Sequence, residues 1–201
     1  YTDTETLFLP ACVSRYPDRE DNFQLYKAMV VHLWAQTWFG SWRIELREVL
    51  GRYADPDAAL ACFLALETMR LDACIRDTLP GVYRHLLRFR ADSPVELNKD
   101  WQAAAERLSQ PGAKLEDTLL WLQRLAAGKL PDSVIYQGVM RPEAVEKVRA
   151  ARLQADKQAF RMHMLHMQDG LREEADEQDD EAREVNEDGE VRLPFELRIV
   201  E

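Results

Sequence analysis

His32 and Gln36 stand four residues apart, one turn of a helix, so both side chains leave the same face. Glu67, Arg70 and Asp72 follow within a second helical stretch, ETMRLDA. A zinc peptidase holds its metal with two histidines at that spacing and an acidic third ligand. A glutamate directly after the first histidine then activates water. Here an amide, Gln36, occupies the second ligand position and Leu33 the position of the base. An amide is a poor zinc ligand and no group remains to take a proton from water. A metal-dependent hydrolase built on His32, Gln36 and Glu67 is therefore the weaker reading. A hydrogen-bonded His32 inside a bundle, and Glu67 paired with Arg70 at i,i+3, account for the same residues more simply.

Other chemistry-bearing residues follow the same pattern. His163 and His166, in MHMLHM, are i,i+3 and could bind a soft metal, but a methionine-rich face packed on a neighbour is the plainer account. Ser14, Ser41, Ser93 and Ser133 sit in no nucleophile elbow, and no phosphate loop or dinucleotide fingerprint occurs. No catalytic residue, cofactor-binding residue or metal ligand is assigned, and the chain is expected not to be an enzyme.

The elements that must position these residues are helices. From Asp21 to Arg43 the chain reads as one amphipathic helix with Asp21 or Asn22 as its cap. Tyr26, Met29, Val30, Leu33, Trp34 and Thr37 recur at three-and-four spacing as its inward face. Trp38, Phe39 and Trp42 crowd around Gly40, which interrupts the helix. Three tryptophans lie within nine residues here, so this stretch is expected to form the centre of the core. A second helix is expected over Trp42–Tyr53, with Leu46, Val49 and Leu50 inward. Asp55-Pro56 opens a third, to about Thr78, which Leu79-Pro80-Gly81 ends. A shorter helix follows over Gly81–Arg90.

Ser93-Pro94-Val95-Glu96 reads as a capping box for a helix burying Leu97, Trp101, Ala104 and Leu108. Leu115–Ala127 is the next, closed by Gly128. Asp132–Val139 is a connector without a clear state, and Pro142 opens a long helix to about Gln168. One or two short peripheral strands are expected: Thr6–Val13, an edge strand or an extended entry segment, and Val191–Val200; a proline in each confines a strand there to an edge. The fold expected is all-α, a bundle of about seven helices.

The net charge of −10 is local. Glu173–Glu190 carries eleven acidic residues against one arginine, and the rest of the chain balances at 25 of each sign. The expected organisation is a helical domain over 1–170, an acidic disordered linker over 171–190 and a short strand over 191–201. No basic footprint for nucleic acid is present, and no apolar run approaches the roughly 18 residues a membrane span needs. The odd count of three cysteines, Cys12, Cys62 and Cys74, without metal spacing, points to a reducing, cytoplasmic setting. A chain that begins at Tyr1, with no signal-like run, is expected to be a piece of a longer polypeptide.

Two segments carry a family pattern. LFLPACVSRYPDREDNFQLYKAMVVHLWAQTWFGSW resembles the region that precedes the von Willebrand A domain in the NorD/CbbO proteins, partners of MoxR-type AAA+ ATPases. Leu9-Pro10, Asn22, Tyr26, His32 and Phe39-Gly40 occupy the family positions. LETMRLDACIRDTLPGVYRHL matches a second pattern through Glu67, Arg70, Asp72, Pro80 and Gly81. A long helix followed by an acidic stretch is a third, organisational likeness. Many relatives carry a second histidine near the position of Gln36.

The resemblance implies a non-enzymatic, chaperone-like adaptor that links a hexameric MoxR-type ATPase to a client enzyme. That client is Rubisco on the CbbO-like branch, toward which the reading leans, or nitric oxide reductase on the NorD-like branch. ATP would belong to the partner and any divalent metal to an A domain, whose Asp-x-Ser-x-Ser signature does not occur in these 201 residues. His32, Gln36, Phe39, Gly40, Glu67, Arg70, Asp72, Pro80 and Gly81 would then be structural or interaction residues.

Overall fold

In a computed structural model, the backbone is described for residues 1–92 and 97–183, and side chains for 1–91 and 97–168. Among these residues there are seven helices: α1 (Arg19–Trp38), α2 (Leu46–Leu50), α3 (Pro56–Thr78), α4 (Pro80–Asp92), α5 (Lys99–Leu108), α6 (Leu115–Leu125) and α7 (Pro142–Arg183). The class is all-α, as expected. No helix among the described residues is long and apolar enough to cross a membrane. By its contacts the chain divides into two units, Tyr1–Arg149 and Ala150–Glu201.

In the first unit α3 is the spine. Every residue from Leu66 to Ala73 is buried, more than two full turns, so neighbours cover all of its sides. α1 and α4 pack on one side, α2, α5 and α6 on the other. Two apolar clusters result. One joins Trp42, Leu46 and Leu50 to Phe63, Leu66, Trp101, Leu108 and Leu122. The other joins Leu25, Ala28 and Ala35 to Leu71, Ile75, Leu86, Phe89 and Tyr136.

α3 starts as the sequence predicts: Asp55 accepts from the amides of Asp57 and Ala58 at 3.1 and 3.0 Å, with Pro56 at the first position. Leu79 closes it, and Pro80 opens α4 directly, so Pro80-Gly81 begins a helix as well as ending one. The proline's restricted φ suits a first helical turn and turns the chain back along α3.

Several expectations change. α1 is capped by Asp18, not by Asp21 or Asn22. The Asn22 amide instead ties down the preceding loop, accepting from Tyr16 N at 2.9 Å and donating to the carbonyls of Tyr16 and Asp18. The buried stripe of α1 is Leu25, Ala28, His32, Leu33, Ala35 and Gln36, rotated from the Tyr26–Trp34–Thr37 face. α1 is apolar on most sides, so spacing alone could not select the face. The aromatic knot splits accordingly. Trp42 is buried, whereas Trp38 is 64 % exposed and stacks on Trp34 with ring centroids 5.4 Å apart. The core is centred on α3 rather than on α1.

The second helix is one short turn-and-a-half, Leu46–Leu50, because residues 40–44 are spent reversing the chain after α1. α5 begins at Lys99 under an Asn98 cap, with bonds of 3.0 Å to the amides of Asp100 and Trp101. The expected capping box at 93–96 lies outside the described residues. The Thr6–Val13 strand reduces to a single antiparallel bridge, Thr2 to Leu7.

α7 does not stop near Gln168 but continues through Gly170 into the acidic run as far as Arg183, where a disordered linker was expected. One glycine costs a helix only about 1 kcal/mol, and the Glu, Gln, Ala and Arg around it are good helix formers. The remainder of the acidic run and the expected strand at 191–200 lie outside the described residues.

Candidate functional site

α1 ends in a Schellman motif. Gly40 N donates to Thr37 O at 3.3 Å and Ser41 N to Gln36 O at 2.9 Å, with Gly40 at φ +79°. That geometry accounts for the aromatic-glycine pair, because a left-handed residue is required just after the helix end. The Phe39 carbonyl is left pointing across to α3, where Arg70 Nη2 donates to it at 3.2 Å. α1 has no basic residue in its own last turn, so Arg70 supplies from α3 the positive charge that the helix C-terminus favours.

Arg70 is itself held by Glu67. Arg70 Nε donates to Glu67 Oε2 at 2.7 Å and Nη2 to Oε1 at 3.1 Å, a two-pronged pair with both side chains buried. Burial pushes the Glu67 carboxyl upward while Arg70 pulls it back. The i,i+3 pair was legible in the sequence. Its burial was not, since an i,i+3 pair is usually exposed and contributes little.

Asp72 lies further along α3 and enters a second network. Its Oδ2 accepts from the Tyr136 hydroxyl at 2.6 Å and pairs with Arg90 Nη2 at 2.7 Å. Arg90 Nε donates in turn to the Tyr136 oxygen at 2.9 Å. Burial opposes the charge on Arg90, yet Asp72 and Tyr136 outweigh it and raise its pKa. Burial beside the Asp72 carboxylate likewise holds the Tyr136 phenol protonated.

His32 meets this network from α1. Its ring stands edge-on to Tyr136, with centroids 5.6 Å apart, and its Nε2 is 3.9 Å from Asp72 Oδ1, beyond hydrogen-bond reach. Burial lowers the pKa of His32; Asp72 and the Gln137 backbone act against this and Arg90 with it. The side chains of His32 and Gln36 are fully buried and make no hydrogen bond with the protein.

Sequence reasoning missed Arg90 and Tyr136. Arg90 is the last residue of the stretch read as a short helix, and Tyr136 falls in the connector without a periodic pattern. That connector is a strap over α1 and α3. Tyr136 is fully buried within it, and Gly138, at φ +74°, lets the backbone come close to Leu33, whose Cδ2 would lie 3.1 Å from an added Cβ. The available signal was the tyrosine itself, since a buried phenol needs a polar partner.

His32, Gln36, Phe39, Gly40, Glu67, Arg70 and Asp72 thus gather along the α1–α3 packing. Pro80 and Gly81 do not; they are exposed at the start of α4, whose other end delivers Arg90 to Asp72. His32, Gln36 and Glu67 do not form a metal-binding triad. Glu67 is taken by Arg70, and among the described residues no group of three His, Cys, Asp or Glu side chains could hold a metal ion. His163 and the exposed His166 likewise join no such group. A cleft of about 230 Å³, bordered by Thr68, Met69, Arg90, Val134 and Gln137, opens beside the network. The one cation among these residues is already committed to Asp72. The arrangement is a set of paired charges that lock helices together.

Comparison with known protein families, curated proteins and solved structures returns no match.

Proposed function

We propose that the chain is the helical platform of a non-enzymatic adaptor that couples a MoxR-type AAA+ ATPase to a client enzyme, Rubisco on the CbbO-like branch. One observation carries the reading. The residues on which the NorD/CbbO resemblance rests are scattered from Leu9 to Gly81, yet His32, Phe39, Gly40, Glu67, Arg70 and Asp72, half of them, meet at the α1–α3 packing, and all of these but Phe39 are buried. Their charges are spent on one another: Glu67 on Arg70, Arg70 on the end of α1, Asp72 on Arg90 and Tyr136. Residues used in this way preserve a scaffold's shape, which is what a rigid element transmitting force from a ring ATPase requires. Hydrolysis of ATP then belongs to the partner, and the client is engaged elsewhere in the full-length protein.

The test is reconstitution. Full-length protein is expected to co-purify with a MoxR-type ATPase, to stimulate its hydrolysis, and to restore activity to Rubisco blocked by an inhibitory sugar phosphate. Nitric oxide reductase maturation, run in parallel, separates the two clients. Failure to bind or stimulate any MoxR-type ATPase overturns the reading.

A further inference from the structure

In the second unit, α7 presents apolar side chains to solvent over more than four turns. Leu153, Phe160 and Met167 are 56, 65 and 51 % exposed. Soluble chains seldom leave a row of large apolar side chains in water without a use for it. The row has a definite period. Ala150, Leu153, Lys157, Phe160, Met164 and Met167 are separated by three, four, three, four and three residues. That alternation is the a/d spacing of a heptad, with Ala150, Lys157 and Met164 at a and Leu153, Phe160 and Met167 at d. A straight helix repeats every 3.6 residues, so a 3.5-residue seam drifts by only about 20° per heptad, and two helices keep it between them by winding gently around each other.

We propose that this face of α7 is the seam of a parallel, in-register, two-stranded coiled coil formed with a second copy of this chain. Three features select that occupant. The seam is self-complementary, because each a or d residue meets its own counterpart. In the parallel register the g residue of one heptad faces the e residue of the next on the other strand. Here that pairs Asp156 with Arg161, opposite in sign and formed twice by symmetry; both are exposed. An antiparallel arrangement sets g against g and e against e and loses this match. Lys157 is a lone charged residue at an a position, a device that fixes register and strand number at some cost in stability. Its stem can lie along the seam while the ammonium reaches water. Met162 and Leu165 fall at f and b, outside the seam, and so provide internal controls.

The test uses the 201-residue chain with Cys12→Ser, which removes the exposed native thiol. Under mild oxidation Met164→Cys is expected to form a disulfide dimer roughly tenfold more efficiently than Met162→Cys, because only the former lies in the seam. In sedimentation equilibrium the wild-type chain is expected to dimerise with Kd in the micromolar range, and Phe160→Glu to weaken this at least about tenfold. Leu153, Phe160, Met162 and Met167 are exposed and Met164 is half-buried, and all lie outside the first unit, so an unchanged urea midpoint of each variant reports intact folding of that unit. A monomeric wild-type chain at about 100 µM, or equal crosslinking at the two positions, overturns the proposal. So does a mixture of Leu153→Cys and Met167→Cys chains that crosslinks faster than either alone, since that outcome means antiparallel strands.

Discussion

At the scale of single residues, the interior of this protein depends on charges that cannot be removed one at a time. Arg70→Met leaves Glu67 buried without its counter-charge and the Phe39 carbonyl without a donor. It is expected to cost about 3–5 kcal/mol in urea unfolding. Adding Glu67→Gln should recover part of that loss, because the penalty comes from the stranded charge more than from the missing bond. Tyr136→Phe removes a hydroxyl bonded to a carboxylate and is expected to cost about 1.5–3 kcal/mol by the same measurement. His32 makes the interior sensitive to acid. Burial sets its folded pKa below the unfolded value of about 6.5, so as pH falls the unfolded chain takes up the extra proton first. Stability is therefore constant above that value and declines below it, by up to about 1.4 kcal/mol per pH unit from this group. His32→Gln should flatten the slope between about pH 6.5 and 5, and an unchanged slope would remove His32 as its source.

At the scale of elements, backbone geometry at two glycines decides how α1 is held. Gly40 closes the Schellman end of α1, and Gly138 brings the strap against it. Both have positive φ, so alanine is expected to cost about 1–2 kcal/mol at each from backbone strain. They differ in their surroundings. An added Cβ at Gly40 meets the flexible end of the exposed Arg43, which can swing aside, whereas at Gly138 it meets buried Leu33. Gly138→Ala should therefore lower the thermal midpoint more than Gly40→Ala. Gly112→Ala, at φ +80° with open space around it, serves as the reference for strain alone. Element boundaries were legible where local chemistry sets them, as with Asp55-Pro56, whereas the Asn98 cap of the helix that buries Trp101 was passed over for a capping box at 93–96. They were misread where a breaker is weak, as at Gly170, and where a competing partner takes the side chain, as with Asn22.

At the scale of the molecule, the first unit contains both apolar clusters and both charge networks, and the second contains the heptad face of α7. A chain ending at Arg149 is expected to unfold cooperatively with an unchanged urea midpoint, and a broadened or shifted transition would refute that independence. The all-α class, the order of helices and the Glu67–Arg70 pair followed from sequence alone, because caps, prolines and short-range spacing act within one or two turns. The spacing of apolar residues on α7 lies in the sequence too, but reading MHMLHM as a methionine-rich face packed on a neighbour passed over it, and the exposure of Leu153, Phe160 and Met167 brought it out. Tertiary structure alone decided which face of α1 turns inward, since a helix apolar on most sides has no preferred face until a neighbour covers one. It also made α3 the spine in place of α1. The partners of Asp72 were decided there too: Arg90 lies 18 residues away and Tyr136 64 residues away, and no local rule relates positions so distant. Only the packing of α4 and the strap against α3 brings them to one carboxylate.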